Sequence, residues 1–393
     1  MWAYFKFELK QFITNKKNIA VYVILLFFAL FYALKMAPAY EPVEKVDVDE
    51  MEARYLTREE FLNTAKSNHW AVEYARAIFP QWNEYEKARM DALVQKDNVK
   101  YAEATANWYT YSDMLTYKSR DMFYNPAYYT YDNSYGHKDG HYGYSYSASR
   151  FEAYSKGATE LSISVFEERT AIQTLQRLLH SYLPFVLFAT LIFLTVDIVL
   201  KDRHNKSALQ GFPIADWKKL LIKGSVSFLG TIFAFIPLSI GFIIIGIQSG
   251  FGDLSLPVPI YSYVEGNFTN STMGEYFLKN SVFLVVWFLF LISLILLLSI
   301  LVKAEFASVV VGLAIISAEW IYFEREMGAY TEVHRYPTSY VQVGQILTGY
   351  RNFVYESKSF TAENGLFIVG ACAVVCIVLT FIISHFKKFK LLS

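Results

Sequence analysis

The chain has 393 residues, 36 acidic against 36 basic side chains, 54% hydrophobic and 18% aromatic residues, and two cysteines. A balanced charge leaves no electrostatic footprint for nucleic acid, and so high an apolar share points to a membrane protein rather than a soluble enzyme. Two cysteines in one apolar run also exclude a disulfide-stapled secreted scaffold.

Apolar runs long enough to cross a bilayer, roughly 20 residues each, occupy 19–36, 182–200, 225–247, 281–302, 306–323 and 366–386. The expected fold is therefore all-α and polytopic, with about six transmembrane helices.

Ahead of the first run, residues 1–18 are amphipathic: Trp2, Phe5, Leu9 and Phe12 or Ile13 share one helical face, with Lys6, Lys10 and Lys17 opposite. Such a helix lies in the membrane interface. Lysines, an apolar run and the triplet Ala37-Pro38-Ala39 also fit a cleavable signal peptide, but the interfacial pattern favours a retained first span.

Residues 37–181 are too polar for the bilayer and long enough for a domain. They read as a mainly helical extracellular unit. Helices are expected over 50–67, with Thr57 and Glu60 at capping-box spacing, over 69–96, over 99–118, and unbroken over 158–180, with Pro80 and Pro126 as breaks.

Within this unit, 125–149 mixes Tyr128, Tyr129, Tyr131, Tyr135, Tyr142, Tyr144 and Tyr146 with Gly, Asn and Ser. That composition predicts a loop. The tyrosines are substrate-contact candidates, since each supplies an aromatic face and a hydroxyl; a hairpin tip without a binding role is the competing reading. His137, Asp139 and His141 are metal-ligand types, but the sequence fixes no further ligand and no metal site is assigned.

Orientation follows from the cations. Lys6, Lys10, Lys16 and Lys17 precede the first run, Lys303 separates the fourth and fifth, and Lys387, Lys388 and Lys390 follow the last, so both termini are expected in the cytoplasm. Outer segments then fall at 37–181, 248–280 and 324–365, and 201–224 is an inner loop.

That inner loop carries Lys201, Arg203, Lys206, Lys218, Lys219 and Lys223 around Gly211, Pro213 and Trp217. The pattern of Gly-x-Pro, a short amphipathic helix and a Lys opening the next span resembles the permease subunits of ABC-2-type (type V) exporters, as does the interfacial first helix. The resemblance covers about six spans and specifies architecture better than cargo; the large segment between the first two runs departs from the compact members and is similar to peptide, bacteriocin-immunity and sodium-export permeases.

The resemblance implies docking of an ATPase through Gly211, Pro213, Asp216, Trp217, Lys218 and Lys219 and through the inner turn at Lys303 and Glu305. It implies gate or pathway roles for Glu319 and Asp197, whose plain structural readings are interfacial snorkelling beside Arg325 and an ion pair with Lys201 one turn on. Short re-entrant helices are implied in 324–365, where Pro337, Gly344 and Gly349 punctuate apolar residues.

The implied activity is export of a hydrophobic or amphipathic substrate, a peptide, bacteriocin or antimicrobial being favoured, with sodium or drug and lipid export as alternatives. Implied partners are an ATPase subunit carrying ATP and Mg, a second permease copy or sister permease, and lipid of a bacterial plasma membrane. A ligand-sensing membrane protein that signals through the inner loop is the reading from another class. No phosphate loop and no Gly-x-Ser-x-Gly elbow occur, so no catalytic residue and no cofactor are assigned to this chain. Cys372 and Cys376 lie four apart on one expected helix, where they cannot reach disulfide geometry.

Overall fold

The computed structural model describes residues 1–118, 134–201, 214–322 and 332–386, and they are mostly helical. The first helix, α1 (Trp2–Ile13), buries Tyr4, Glu8 and Phe12, one turn apart, and leaves Trp2 and Ile13 exposed. The expected apolar face is thus divided: Phe12 turns inward, whereas Trp2, stacked on Phe5 at 5.4 Å, stays on the outer side. Asn15 caps α2 (Lys16–Phe31), which runs on through a π turn to Met36.

Each polar helix that follows starts at a side-chain cap that satisfies a free backbone N–H. Asp47 caps α3 (Val48–Thr64), His69 caps α4 (Trp70–Val94) and Asp97 caps α5 (Asn98–Asp113). The expected capping box at Thr57 is not a helix start. Asp47 with acidic Asp49 and Glu50 in the first turn outcompetes it, and Thr57 bonds back to the Ala53 carbonyl at 2.8 Å from mid-helix. Pro80 does not break α4 either, because buried Ile78 and Trp82 on either side of it hold the helix to its neighbours.

The largest correction concerns the Tyr-rich tract, whose described part is helical: α6 spans Ser134–Lys156. Gly140 is there for close approach rather than for a turn, since a Cβ on it would sit 2.2 Å from the Tyr117 hydroxyl. Residues 158–180 are also not one helix. They form α7 (Ile163–Phe166) and α8 (Ala171–His180), and the axis bends by 69° before α9 (Leu183–Thr195), which starts with Pro184 in its first turn.

The apolar part comprises α10 (Asp216–Phe233), α11 (Phe235–Ser249), a hairpin of β1 (Pro257–Ser262) and β2 (Asn267–Thr272), α12 (Met273–Leu301), α13 (Glu305–Ser317), α14 (Glu319–Tyr322), α15 (Val343–Leu347), α16 (Tyr350–Val354) and α17 (Ala362–Ser384). Among the described residues four helices are long and apolar enough to cross a membrane: Lys16–Met36, Asp216–Ser249, Met273–Leu301 and Ala362–Ser384. A fifth is added if the bent pair 163–180 and 183–195 counts as one span. The expected run 306–323 is divided between the short α13 and α14.

The hairpin, antiparallel with Pro257 opposite Thr272 and Ser262 opposite Asn267, is absent from the all-α expectation. At the centre of the bundle, α12 packs chiefly on α17 and α9, and its fully buried Trp287 donates Nε1–H to the Tyr340 carbonyl at 2.9 Å.

Candidate functional site

At the junction of the polar helices and the apolar bundle lies a cavity of about 400 Å³, lined by side chains from α6, α8, α14 and the 342–351 segment. Its floor is an ion pair: Arg351 Nη2 is 2.9 Å from Glu319 Oε1, and both side chains are at most 5% exposed. Arg351 is aimed there by the turn before α16, where Gly349 adopts φ +71°. A Cβ at Gly349 would lie 2.2 Å from the Tyr261 carbonyl oxygen, so the close seat of β1 on this turn requires glycine.

The walls are aromatic and polar together. Tyr350 donates its hydroxyl to Asp139 Oδ1 at 2.8 Å, the ring of His180 packs 5.6 Å from that of Tyr350, and Tyr142 packs edge-on to Tyr350 at 5.0 Å. Trp320 supplies a second aromatic wall and stacks on Phe185 at 4.9 Å. Gln342 also lines the cavity; its side chain is 8% exposed, and its Oε1 is buried with no hydrogen-bond donor among the described residues. A concave site of this volume with a few convergent polar groups is the usual form of a small-molecule site.

The cavity joins residues that the sequence suggested separately. Tyr142 from the tyrosine set, Asp139 from the metal-type cluster and Glu319 from the gate pair all line it. Arg351 was missed, since a cation in a loop-like segment carries no sequence signal for a partner 32 positions earlier. Arg325, named as the neighbour of Glu319, lies outside the described residues, as do Gly211, Pro213, Tyr128, Tyr129 and Tyr131 and the side chains of Tyr135 and His137.

Tyr144 and Tyr146 are half-buried packing residues rather than part of an adhesive surface. Tyr144 packs between Trp108, Tyr109 and Tyr117 on α5 and the turn after it, and Tyr146 meets Phe268 of the hairpin and receives a hydrogen bond from Gln176 at 3.3 Å. Burial raises the Tyr144 hydroxyl above its ordinary pKa, so it stays protonated. The metal-type cluster is also dispersed: His141 Nδ1 pairs with Asp113 Oδ1 at 2.6 Å while Asp139 faces Tyr350. Among the described residues no three His, Cys, Asp or Glu side chains form a metal-ligating group.

A second charged cluster sits at the opposite end of the bundle. Asp197 pairs with Lys201 at 2.8 Å and also with Lys17, and it receives a hydrogen bond from Asn15 Nδ2 at 2.9 Å. Glu305 lies within electrostatic range of Lys17. Nearby, Lys223 Nζ reaches Glu8 Oε1 at 2.8 Å and the Ile198 carbonyl at 2.8 Å, with both ionic side chains at most 3% exposed. This pair locks α1 to α10.

Of the docking candidates, Lys303 and Glu305 are exposed, and Trp217 and Lys218 are half-buried, with Trp217 edge-on to Phe381 at 5.9 Å. Lys219 is not a surface cation: its side chain is 4% exposed and faces Asp216 at 3.7 Å. Glu8 was the residue missed here, although it is the one carboxylate before Glu41 in a lysine-rich segment. No family model matches the chain, and neither a curated protein nor a solved structure is significantly similar to it.

Proposed function

We propose that this chain is the membrane permease subunit of an ATP-driven exporter. It has about six membrane crossings, cytoplasmic termini, and a hydrophobic or amphipathic peptide as its substrate class. ATP and Mg belong to a separate ATPase, which docks on the inner loop and on the turn at Lys303 and Glu305; a second permease copy or a sister permease completes the pathway.

The observation that carries this reading is the buried Glu8–Lys223 pair. It connects the interfacial helix to the helix that begins at the basic inner segment, so a force applied at Asp216–Lys219 reaches α1 and the end of the α9 segment at Ile198 together. Coupling of this kind needs a contiguous packed route, and the pair supplies one. The test is co-purification from native membranes. A stably bound partner with a phosphate loop, whose ATP hydrolysis rises with an amphipathic peptide, supports the proposal; a kinase partner, or hydrolysis indifferent to every peptide, refutes it.

The cavity favours a second reading, a ligand sensor that signals through the same inner segment. In that case a ligand for the cavity alters the binding of an inner partner without net transport.

A further inference from the structure

The helix α1 has two unlike faces. Tyr4, Glu8 and Phe12 are buried, and Glu8, the one acidic residue of this helix, is neutralised inside the fold by Lys223. At about 100° per residue, Trp2, Lys6, Lys10 and Ile13 form a second stripe, roughly 150° around the helix from the first. All four are exposed, and half-buried Phe5 and Leu9 border them. Lys6 Nζ stands 5.2 Å from the centre of the Trp2 ring, and neither Lys6 nor Lys10 pairs with an acid among the described residues. Because the acid faces inward, the outward stripe carries positive charge alone.

The stripe sits where the chain enters the bilayer. The turn at Thr14 and Asn15 joins α1 to α2, whose run Lys16–Met36 is long and apolar enough to cross a membrane and exposes Ile19, Val23 and Phe27. We infer that the stripe binds the headgroups of anionic phospholipids. Trp2 and Ile13 enter the boundary between headgroups and acyl chains, the ordinary place of Trp and of an apolar interfacial edge. Lys6 and Lys10 then meet the phosphates. A zwitterionic headgroup offers the same phosphate but cancels its charge with its own ammonium, so net negative charge is what the lysines select. One lysine held close to an anionic surface contributes about fivefold in affinity. The inference rests on α2 crossing a membrane and is independent of the exporter reading. Through Glu8 and Lys223, lipid that holds α1 also holds α10.

The experiment uses the full chain, with no ATPase present, in nanodiscs made of equal amounts of phosphatidylcholine and phosphatidylglycerol. Bromine, which quenches tryptophan on contact, is placed on the acyl chains of one lipid or of the other. Trp2 emission is the difference between the wild type and Trp2→Phe. Brominated phosphatidylglycerol is expected to quench Trp2 more strongly, with a preference of about fivefold or more, the contribution of a single lysine. Lys6→Gln/Lys10→Gln should bring the two lipids to parity, and Lys6→Arg/Lys10→Arg, which keeps the charge, should retain the preference. Sodium chloride at about 1 M should reduce it, since the screening length falls to about 3 Å. Equal quenching by the two lipids in the wild type overturns the proposal, as does a preference that survives Lys6→Gln/Lys10→Gln, is lost in the arginine pair or ignores salt. Trp2 emission untouched by either brominated lipid also overturns it and gives this face to a protein partner.

Discussion

Removing one partner of the Glu8–Lys223 pair should be among the costliest single changes in the apolar part of the chain. The pair is almost fully buried, so Glu8→Leu takes the carboxylate from a buried ammonium whose other contacts include the Ile198 carbonyl and the Tyr4 ring, 6.0 Å away. Breaking a buried ion pair on one side costs about 3–5 kcal/mol, and the retained carbonyl contact places Glu8→Leu near about 3 kcal/mol. Lys223→Met should cost about as much through the stranded carboxylate. The double change Glu8→Leu/Lys223→Met, which removes both charges, should cost about 1 kcal/mol or less, because replacing a buried pair by apolar groups is often neutral. Reversible unfolding in mixed micelles, followed by helical circular dichroism against SDS fraction, measures the three variants. The expected coupling is therefore about 5 kcal/mol, the two single losses less the double one. If the double variant loses the sum of the two single losses, the pair does not hold α1 to α10 and the force route through it fails.

Three further outcomes are expected. Lys218→Glu reverses a half-buried charge beside Trp217 without touching buried Lys219, and should lower peptide-stimulated ATP hydrolysis of the reconstituted complex several-fold while the melting temperature stays put; unchanged stimulation removes Lys218 from the docking surface. Tyr144→Ala should destabilise the polar helical region by about 3–5 kcal/mol, the cost of truncating a buried aromatic, and limited proteolysis should then cut within 98–156; a wild-type digestion pattern would show that α5 and α6 do not depend on this ring. Asp47 and Asp97 are held below the ordinary carboxylate pKa of 3.8, Asp47 first by its hydrogen bond with Lys45 and Asp97 by the Lys100 backbone N–H. A depressed folded-state pKa contributes stability that is fully present above the unfolded value and lost as pH falls through the folded one. Amide exchange in the first turns of α3 and α5 should accordingly rise once pH drops below about 3.8, and Asp97→Asn, which keeps an oxygen cap without the titrating charge, should flatten that rise in α5.

Much of the apolar architecture was legible because a bilayer demands long uninterrupted apolar runs, and four of them stand as long helices. The 182–200 and 306–323 runs misled because apolar length does not report a bend. Pro184 and the change of axis after His180, or the break at Ala318, is settled by packing. The Tyr-rich tract misled for a different reason: its glycines read as turn formers by composition, whereas Gly140 clears space for the Tyr117 ring. A period-based reading would have found the helix, since Tyr142 and Tyr146 repeat at four, and Tyr144, Ala148 and Phe151 at four and seven. The cavity was legible only in parts. Glu319 and Tyr142 stood out by residue type, but Arg351 and Gln342 reach them through tertiary folding that no local pattern encodes.

Thr272 ends β2 and also caps α12, its hydroxyl accepting from the Glu275 N–H at 3.2 Å, so the hairpin passes into the central helix with no intervening loop. The hairpin in turn is fastened to α6 by Asn270, whose side chain donates to Ser149, and by the Tyr142–Phe268 contact at 5.2 Å. A helix of 29 residues is about 43 Å long at 1.5 Å per residue. Hairpin and helix thus make one stiff lever with its handle in the polar region. A pivot of about 5° near the hairpin sweeps the far end of α12, beside Lys303, through roughly 4 Å, given that length. Because α17 and α9 pack along α12, a displacement that begins where the hairpin meets α6 is carried to the distant end of the bundle by these three helices together.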